Sequence, residues 1–482
     1  MKDMTSTAEE IFGHGYLVSA GPDWADVTAP WPSLTVGALT YRFQHRTAYA
    51  HSVAQTARDR TPEVVLIGHA VDVEHGTSDR HWIAAYVASL AAEHGLDAVV
   101  RYVAYLGGRF TCFVHDGDEL TVIPDCHATQ SVYWSGSGRD FVASSHVELA
   151  GQAADAAVDE HAHDLYDTLV EIRGSAGTKY LPGIATAYRS VRPLIPNCLL
   201  EADLASGRTV HRRFYPFEEL REMDVKVTYE RFEELFRAHL RLLSTFGPVG
   251  ISVTSGLDSR TTLAGGREFL PPNSFAFTFY RSTNPADAHA EDLYGGNQTA
   301  WNYQLPHRVI RWDGRIKSPA FDAIFTTTFP RLSQARTIAQ AFYDGLPRDF
   351  FHFQSTIAET GTVFYKRREV TEISAQRLTH LWHGADVARV ESLVAAFEEF
   401  IHYADFRADN LHGYDYHDLF YWEHRNSRWA ANRYHEADLA HRVLLPFNQR
   451  SLIETMLSLP FKDRADRVLL HHLIDRFPPP AE

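Results

Sequence analysis

The most constraining feature of the sequence is a short polar loop between two apolar segments in the second half of the chain. Residues 249–253, Val-Gly-Ile-Ser-Val, predict a buried strand, and residues 274–280, Ser-Phe-Ala-Phe-Thr-Phe-Tyr, predict another. One helix-length segment separates the two strands, and it starts in the loop at residues 252–260. Strand, turn, helix and strand at this spacing indicate a βαβ unit and therefore a parallel sheet.

The loop at residues 252–260 suits an anion because a strand should end and a helix begin there. The first N–H groups of a helix have no partner within the helix, and the helix dipole favours negative charge there. Asp258 would repel a phosphate on its own, so its presence indicates a bridging Mg²⁺. The nucleotide-binding candidates are Ser252, Thr254, Ser255, Gly256, Leu257, Asp258, Ser259 and Arg260.

The same residues also suit a plain strand-to-helix turn. In that interpretation, Asp258 and Ser259 act only as capping residues. The loop is not a Walker A motif, since the pattern G-x-x-x-x-G-K-[ST] is absent. The rest of the chain has to decide between the two interpretations.

The first half of the chain has a different pattern, which predicts an α+β domain with antiparallel sheets. Short β runs occupy residues 63–67, 110–114 and 120–123. Apolar residues at a period near 3.6 predict a helix over residues 79–94. A charged, irregular segment at residues 217–227 indicates a boundary.

Beyond this boundary the pattern is mainly helical. A helix is predicted over residues 228–243, before the strand–loop–helix unit, and helices are predicted over most of the chain from about residue 321 onward. We therefore predict one domain over residues 1–215 and a second over residues 226–482.

Composition and charge exclude several classes of protein. With a formal net charge of −15 and no basic run longer than residues 366–368, the chain lacks the basic face that a nucleic-acid partner requires. Cys112, Cys126 and Cys198 form no C-x-x-C pair, which argues against a disulfide framework or a thiolate zinc site. Residues 1–20 do not resemble a signal peptide, and no apolar stretch is long enough to span a membrane. We expect a cytoplasmic protein without a membrane partner, and a homodimer is left open.

Several short motifs are similar to those of one enzyme family. Residues 254–259, T-S-G-L-D-S, differ at two positions from the family loop S-G-G-L-D-S. Residues 106–110, L-G-G-R-F, and residues 142–145, V-A-S-S, are similar to its strand motifs, and residues 445–447, L-P-F, to its C-terminal region. On these motifs the sequence resembles the asparagine synthetase family, in the wide sense that includes β-lactam synthetases and lasso-peptide cyclases.

The resemblance implies a fold and an activity for each half of the chain. The first half would be an α+β N-terminal-nucleophile (Ntn) hydrolase fold, an antiparallel sheet sandwich like that of glutamine amidotransferases. The second half would be an α/β synthetase domain of the PP-loop ATP pyrophosphatase type, a parallel sheet with many helices. Such a domain uses ATP and Mg²⁺ to convert a carboxylate to an acyl-AMP and passes the acyl group to a nitrogen nucleophile.

A second family motif, S-G-x-G-x-D-E, supplies an acid that shares the Mg²⁺ site with the loop aspartate. Its best match is residues 355–361, S-T-I-A-E-T-G. This match makes Glu359 the partner of Asp258 as a metal ligand, with a solvated loop glutamate as the alternative.

The resemblance also implies candidates for the catalytic side chains. The family uses a lysine near the C-terminus to stabilise the transition state, and the matching position here is Arg467, with Lys462 as a rival. Where β-lactam synthetases have a tyrosine that helps to deprotonate the amine, this chain has Thr356. Tyr365 and Glu423 are therefore candidate bases, and a structural role is the alternative for each.

One departure bears on the nitrogen source. Glutaminase members of the family carry a cysteine directly after the initiator methionine, whereas residue 2 here is Lys2. The first cysteine, Cys112, lies in an apolar run and is predicted to be a buried core residue. The resemblance therefore implies a lost glutaminase site and an amine that already belongs to a substrate.

Other polar residues receive simpler interpretations. Histidine is abundant, with 27 residues, but none show the spacing of a metal site. We predict that they lie on the surface or on helix faces, including His435 and His441. The basic run at residues 366–368 is predicted to be solvated, with a pocket wall as the alternative.

The leading functional prediction is an ATP- and Mg²⁺-dependent amide-forming ligase of bacterial specialised metabolism. It would adenylate a small-molecule or peptidyl carboxylate, release pyrophosphate and join the acyl group to an amine. The alternatives are an ammonia-dependent asparagine synthetase, a peptide macrocyclase, and a non-catalytic relative that binds a nucleotide or a partner.

Overall fold

A computed structural model describes residues 9–21, 27–55, 61–174, 180–281, 288–312, 318–331 and 335–480. These residues form two six-stranded antiparallel sheets followed by one five-stranded parallel sheet. The change from antiparallel to parallel pairing confirms the predicted change from α+β to α/β organisation. Lys2 lies outside the described residues.

The antiparallel sheets contain the first twelve strands. The first sheet has the order β10-β8-β9-β1-β3-β2, and the second has the order β12-β11-β7-β6-β5-β4. The strands are β1 (Tyr16–Ser19), β2 (Ser33–Val36), β3 (Leu39–Phe43), β4 (Tyr49–Val53), β5 (Glu63–Val71), β6 (Gly107–Asp116), β7 (Glu119–Pro124), β8 (Tyr133–Ser135), β9 (Val142–Ser144), β10 (Arg192–Pro193), β11 (Cys198–Asp203) and β12 (Arg208–Arg213). The three β runs predicted from the sequence lie within β5, β6 and β7 and are confirmed.

The two antiparallel sheets pack face to face. Phe113 of β6 lies edge-on to Tyr16 of β1 and to Tyr41 of β3, at ring-centroid distances of 5.9 and 5.4 Å. Because side chains alternate between the two faces of a strand, the neighbouring Cys112 points to the other face. There it is fully buried, as predicted, among residues of α1 (Arg80–His94) and α2 (Leu96–Tyr105). Two further helices, α3 (Val147–Ala153) and α4 (Glu160–Arg173), follow β9.

Local sequence explains where the predicted helices begin. The Asp79 carboxylate accepts a hydrogen bond from the N–H of His81 at 2.9 Å, which starts α1. Asp224 does the same for α5 (Val225–Leu243), accepting from the N–H of Lys226 at 2.9 Å. Both predicted helices are confirmed, although α5 begins three residues before the predicted start.

The parallel sheet has the strand order β15-β14-β13-β16-β17. Its strands are β13 (Val249–Ser252), β14 (Phe275–Arg281), β15 (His307–Trp312), β16 (Phe351–Phe353) and β17 (Arg442–Leu444). The chain adds β14 and β15 on one side of β13 and then returns to add β16 and β17 on the other side. The pairs β13–β14 and β13–β16 are both parallel. The order of the sheet therefore reverses between β13 and β16.

Helices dominate the rest of the second half, as predicted. They are α6 (Leu257–Gly266), α7 (Ala288–Asn302), α8 (Pro319–Thr328), α9 (Arg336–Gly345), α10 (Ala375–His383), α11 (Glu391–Tyr403), α12 (Tyr416–Phe420), a π-helix (Tyr421–Ala430), α13 (Ala431–Ala437), α14 (Arg450–Leu457), α15 (Phe461–Ala465) and α16 (Val468–Arg476). A π-helix of ten residues is unusual, since most occur as single-turn bulges, often at functional sites. None of the helices in the described ranges combines the length and the apolar character needed to cross a bilayer.

Buried charged groups join the two halves. Arg109 of β6 is fully buried and forms an ion pair with Asp438 at 2.8 Å, and Arg442 of β17 reaches the same carboxylate at 3.0 Å. The Asn448 side chain donates to Asp125 at 3.0 Å. These contacts form a polar interface within the hydrophobic core, which itself runs through both halves.

The prediction for the histidines is wrong for many of them. Within the described ranges ten are buried, namely His69, His115, His127, His146, His239, His352, His417, His424, His435 and His441. Tertiary packing places these rings in the core, and the spacing of the histidines in the sequence does not indicate this packing. Burial and nearby positive charge lower the pKa of His146 to about 3, and burial with Arg46 does the same for His441. These rings are therefore neutral at physiological pH.

Candidate nucleotide and metal site

The loop predicted from the sequence lies at the switch point of the parallel sheet. It follows the carboxyl end of β13, where Ser252 is the last strand residue, and leads into α6. The segment after the neighbouring strand β16 carries Glu359 in a short 3₁₀ turn, residues 358–360. Ligands of open α/β sheets bind outside the carboxyl ends of strands at such a reversal. The fold thus brings the two predicted motifs to the position where a ligand is expected.

The loop is held by hydrogen bonds among its own residues. The Thr254 hydroxyl accepts from the N–H of Gly256 at 3.1 Å. The Ser259 hydroxyl accepts from the N–H of Thr254 and donates to the carbonyl of Gly256, both at 3.3 Å. Gly256 caps α6 without a side-chain acceptor, so the cap itself leaves the first N–H groups of the helix for a ligand. Ser259 is buried, and its hydroxyl shapes the loop.

The other predicted phosphate ligands are at or near the surface of this turn. Ser255 and Gly256 are exposed, and the Ser255 hydroxyl donates to Asp292 at 3.0 Å. Arg260 lies on the first turns of α6 and is partly exposed. Leu257 packs partly against the core and anchors the start of the helix.

Two glycines of α7 allow that helix to approach the loop. A methyl group at Gly295 would lie 2.7 Å from the Cβ of Ser255 and 2.9 Å from its Cα. At Gly296 it would lie 2.8 Å from the carbonyl oxygen of Val253. Both distances are shorter than real Cβ contacts, so a larger side chain at either position would displace the loop.

Three of the predicted residues, Asp258, Glu359 and Arg467, form one electrostatic group. Burial and the negative charge of Glu359 together raise the pKa of Asp258 to about 7, although the positive charge of Arg467 acts to lower it. A guanidinium nitrogen of Arg467 lies 3.9 Å from the Oδ1 atom of Asp258. In the described part of the chain, this buried Oδ1 atom has no hydrogen-bond partner. A buried carboxylate oxygen without a partner is costly unless a cation or a donor occupies its vicinity.

The backbone beside this group adopts left-handed conformations. Ile357, directly before the turn that carries Glu359, has a φ angle of +66°, and Arg467 has a φ angle of +54°. A β-branched residue is a clear outlier there, and Ile357 is buried, so packing must hold it. Such strain is concentrated at functional sites. Here the strained residues lie directly beside the segment that carries Glu359 and at Arg467 itself.

The π-helix forms the wall next to Glu359. The Tyr421 hydroxyl donates to a carboxylate oxygen of Glu359 at 3.2 Å. Arg425, one turn later, packs over the ring of Phe364 at 4.7 Å. The predicted base Tyr365 lies behind this wall, with its ring 6.3 Å from that of Tyr421. Burial raises the pKa of both tyrosines well above the ordinary value, so neither phenol is ionised at neutral pH.

Two catalytic candidates are not brought into the group. Glu423 is fully buried and accepts from Arg213 with both carboxylate oxygens, each at 2.7 Å, and from Asn197 at 3.0 Å. Its acceptors are thus committed to an ion pair between the two halves. Lys462 is exposed on α15 and forms no ion pair within the described ranges. Arg467 is the cation that the fold places beside Asp258.

The structure also shows the contacts of Thr356, which occupies the position of the family tyrosine, and of the basic run at residues 366–368. The Thr356 hydroxyl forms a hydrogen bond of 2.6 Å with the hydroxyl of Tyr434. Arg368 pairs with Asp415 at 2.7 Å and with Asp418, so it is a structural ion-pair residue. Lys366 and Arg367 are exposed, in agreement with the solvated interpretation.

The donor set fits a magnesium ion that also contacts phosphates. Mg²⁺ takes oxygen ligands and is usually bound by one or two carboxylates together with substrate phosphates and water. Asp258 and Glu359 supply two carboxylates at a helix N-terminus, and one of their oxygens is unpartnered. No cluster of three or more His, Cys, Asp or Glu side chains suited to a metal occurs within the described ranges.

Two residues of the site were missed by the sequence reasoning. Asp292 and Tyr421 contact Ser255 and Glu359, but they lie 37 and 62 positions away from these partners. The pair Gly295-Gly296 within a helix was an available signal for Asp292, because consecutive helical glycines indicate close approach to another element. Tyr421 had no comparable signal.

Comparison with known proteins gives little further guidance. The chain matches no family profile and no curated protein sequence. Among solved structures it is similar to the allosteric regulatory enzyme of purine biosynthesis, with 12% identity over 73% of this chain and 72% of the other and a TM-score of 0.26. It is also similar to glutamine phosphoribosylpyrophosphate amidotransferase from B. subtilis complexed with ADP and GMP, with 11% identity over 80% and 74% and a TM-score of 0.26. These values are too low to carry a functional argument.

Proposed function

We propose that this protein is an ATP- and Mg²⁺-dependent ligase that adenylates a carboxylate and joins it to an amine without hydrolysing glutamine. The observation that carries the proposal is the meeting of Asp258 and Glu359 at the switch point of the parallel sheet. The two residues lie about 100 positions apart in the sequence. The loop with Asp258 was first predicted from its own residues, and Glu359 was assigned from the resemblance to asparagine synthetases. In this proposal the second half is the PP-loop synthetase domain and the first half is an Ntn-like domain without its catalytic cysteine.

The proposed reaction has two steps. A carboxylate oxygen of the first substrate attacks the α-phosphorus of ATP, the bond from that phosphorus to the bridging oxygen breaks, and pyrophosphate leaves. The amine nitrogen then attacks the acyl carbon, the bond from carbon to the AMP oxygen breaks, and AMP and one proton leave. Holding both reactants in one crevice supplies the advantage of proximity.

The protein groups have separate roles in this scheme. The N–H groups at the start of α6 and the exposed Ser255 hydroxyl bind phosphate oxygens. Asp258 and Glu359 would hold the Mg²⁺ ion, which supplies charge neutralisation to the leaving pyrophosphate. Arg467 offers positive charge where negative charge develops during both steps. The amine has to lose its proton to another group, because Tyr365 stays protonated and Glu423 is committed elsewhere.

The burial of the cysteines supports the proposal that this protein does not hydrolyse glutamine. Cys112, Cys126 and Cys198 are the three cysteines of the chain, and all are buried and free. Burial raises the pKa of Cys112 to about 12, which leaves its thiol protonated and unreactive. We therefore expect a nitrogen nucleophile that enters as an amine of a substrate.

Pyrophosphate release tests the proposal. The protein is incubated with ATP, Mg²⁺ and pooled carboxylic acids, and the nucleotide products are identified. We expect AMP and pyrophosphate from the wild type and a loss of more than about 100-fold in Asp258→Asn. The matched control is Asp386→Asn, whose carboxylate is 70% exposed and distant from the site in sequence. Formation of ADP and phosphate would refute adenylation.

One observation favours a second candidate, a nucleotide-binding relative that has lost catalysis. A guanidinium nitrogen of Arg467 lies 3.9 Å from Asp258 and thus partly takes the place of a cation. For this candidate we expect ATP to bind equally well with and without Mg²⁺ in titration calorimetry, and no pyrophosphate to form. Binding that requires Mg²⁺ would favour the ligase.

A further inference from the structure

A cavity between the two halves contains a second set of unpartnered polar groups. The space in it that the centre of a water-sized sphere can reach is about 70 Å³. Tyr133, His146 and Val147 line it from the first half, and Phe329, Arg428 and His435 line it from the second. The lining combines apolar and aromatic side chains, such as Phe329 and Leu181, with polar and charged side chains, which are the more numerous.

Arg428, on the π-helix, is the most unusual residue of this cavity. Its side chain is only about 5% exposed, and burial lowers the pKa of its guanidinium. One terminal nitrogen donates to the carbonyl of Ala185, and Nε has no hydrogen-bond partner. Across the ranges that the structure describes, no carboxylate forms an ion pair with Arg428. Its nearest polar neighbours include the tyrosines Tyr133 and Tyr180.

Several other buried arginines of this protein have a carboxylate partner. Arg109 pairs with Asp438 at 2.8 Å, Arg213 with Glu423 at 2.7 Å, and Arg464 with Asp418 at 2.8 Å. A buried charge without a counterion is strongly unfavourable. Within the described ranges Arg450 is also buried without an ion pair, but it donates to the carbonyl of Ala104 and to the Asn197 side chain. Arg428 differs from Arg450 because it lines a cavity.

The acids that line the same cavity do not serve as counterions for Arg428. Glu148 pairs with Arg331 at 3.1 Å and accepts from Gln152 at 3.0 Å. Glu436 accepts from the N–H of Ala335 at 2.7 Å. Both carboxylates are therefore engaged by groups on the cavity wall.

His146 is a second unsatisfied group in the cavity. It is 3% exposed, its Nδ1 atom lies 2.8 Å from the Ser145 hydroxyl, and its Nε2 atom has no partner. If Ser145 donates to Nδ1, the Nε2 atom carries the hydrogen and is a donor. The cavity then presents one buried cation and one neutral donor.

We propose that this cavity binds a small organic carboxylate with an apolar body, whose anionic group pairs with Arg428 and whose body packs against Tyr133 and Phe329. A carboxylate accepts from a guanidinium in charge-assisted hydrogen bonds, which supplies the missing counterion. The apolar part of the lining replaces water around the rest of the molecule. The site is built by both halves of the chain, which gives the first half a role other than glutamine hydrolysis. The proposal is independent of the proposed function, because its test contains no nucleotide.

The test measures binding of phenylacetate to the full-length protein by calorimetry and by ligand-observed NMR. Phenylacetamide is the matched probe without the charge. We expect phenylacetate to bind at least about tenfold more tightly than the amide, since a hydrogen bond to a charged group is the difference between them. Equal binding of the two probes, or no binding of phenylacetate, would overturn the proposal.

Arg428→Met and Val147→Phe separate a ligand role from a structural role. Arg428→Met should lose at least about tenfold in phenylacetate affinity while its unfolding temperature stays the same or rises, because an unpaired buried charge is removed. A structural arginine would behave like Arg109→Met, which should unfold at a lower temperature. Val147→Phe narrows the cavity without touching Arg428 and should also weaken binding. Unchanged phenylacetate affinity in both variants would place the probe elsewhere and refute the site.

Discussion

Asp438 is fully buried and Asp258 is partly buried, and the surroundings of the two carboxylates differ. The Asp438 carboxylate is reached by Arg109 at 2.8 Å and by Arg442 at 3.0 Å, and it also accepts from the N–H of Val443 at 3.1 Å. The Oδ1 atom of Asp258 has Arg467 at 3.9 Å and no hydrogen bond in the described part of the chain. The first arrangement is complete without any other molecule and joins the two halves. The second is incomplete in the way expected of a ligand site.

Arg109 and Arg428 repeat the same contrast with the charges reversed. One is paired within the interface, and the other lines a cavity without a counterion. Buried charge is therefore fully paired in one region of this protein, and in the two regions where it is not, we propose ligand binding. The difference lies in whether each charge has a partner, which is a property of the tertiary structure.

The largest expected effect is at the complete cluster. Asp438→Asn leaves Arg109 and Arg442 facing each other without their common anion, so the variant should lose about 3–5 kcal/mol of unfolding free energy. Urea unfolding followed by circular dichroism measures the change. A loss of unfolding free energy below about 1 kcal/mol would contradict the comparison, because the ion pairs of Asp438 would then contribute little to joining the two halves.

Acid should also affect the complete cluster strongly. Burial and Arg109 lower the pKa of His435 well below its ordinary value, and the pKa of His146 is about 3. The unfolded chain binds protons at these rings below about pH 6.5, whereas the folded protein does not. Stability is therefore present above pH 6.5 and is lost as the pH falls toward 3, by up to about 1.4 kcal/mol per pH unit for each such ring. Thermal unfolding between pH 7.5 and pH 5 measures it, and a flat profile would contradict the buried neutral histidines.

Arg467 and Lys462 test which cation serves the incomplete site. Arg467→Met should lower the rate of pyrophosphate release by about 100-fold, because it removes positive charge beside Asp258. The exposed Lys462 has no contact with that group, so Lys462→Met should change the rate less than about threefold. A larger effect of Lys462→Met than of Arg467→Met would show that Lys462, and not Arg467, has the role of the family lysine.

A smaller effect is expected from the helix that supports the loop. Gly295→Ala adds a methyl group 2.7 Å from the Cβ of Ser255, so the loop has to move. We expect ATP to bind about tenfold more weakly, equal to about 1.4 kcal/mol, with the fold retained. Titration calorimetry measures the affinity. A matched glycine away from the site is Gly76, where a methyl group would meet no atom within 4 Å, although its φ angle of +65° adds some strain.

The smallest expected effect is on the stability of Asp258→Asn, which can be compared directly with that of Asp438→Asn. Asp258→Asn should raise the stability of the ligand-free protein by about 1 kcal/mol at pH 8, the opposite of Asp438→Asn. Burial and the negative charge of Glu359 together raise the pKa of Asp258 to about 7, so the wild type loses stability as the pH rises from about 4 to 7. The variant lacks this loss. If MgATP stabilised wild type and variant equally, Asp258 would have no part in binding.

Much of the fold could be predicted from local patterns. The strand, loop and helix at residues 249–266 follow from neighbouring residues, and so do the caps at Asp79 and Asp224. The β6–β7 hairpin was also accessible, because its turn residues and alternation are local. Burial of the histidines could not be predicted, because the neighbouring residues of a histidine do not indicate which face of its strand or helix other elements will cover.

The site was predictable in part. Asp258 could be predicted from the residues of its own loop. Glu359 could be predicted only from a second motif, which the resemblance to the family supplied. Tyr421 and Asp292 meet their partners only through the order of the parallel sheet and the packing of α7 and the π-helix. Glu423 has the chemistry of a base, but the fold binds it to Arg213.

The sequence by itself determined that β13 ends in a polar loop suited to an anion, since turn, helix start and small residues are all set by neighbours in the chain. Only the tertiary structure decided which charges are paired. Whether Arg109, Arg428 or Glu423 finds a counterion depends on residues up to some 330 positions away, and the energy of a buried charge is set by what lies within a few ångströms of it. This is why the loop could be recognised in the sequence, while the cavity beside Arg428 became visible only in the fold.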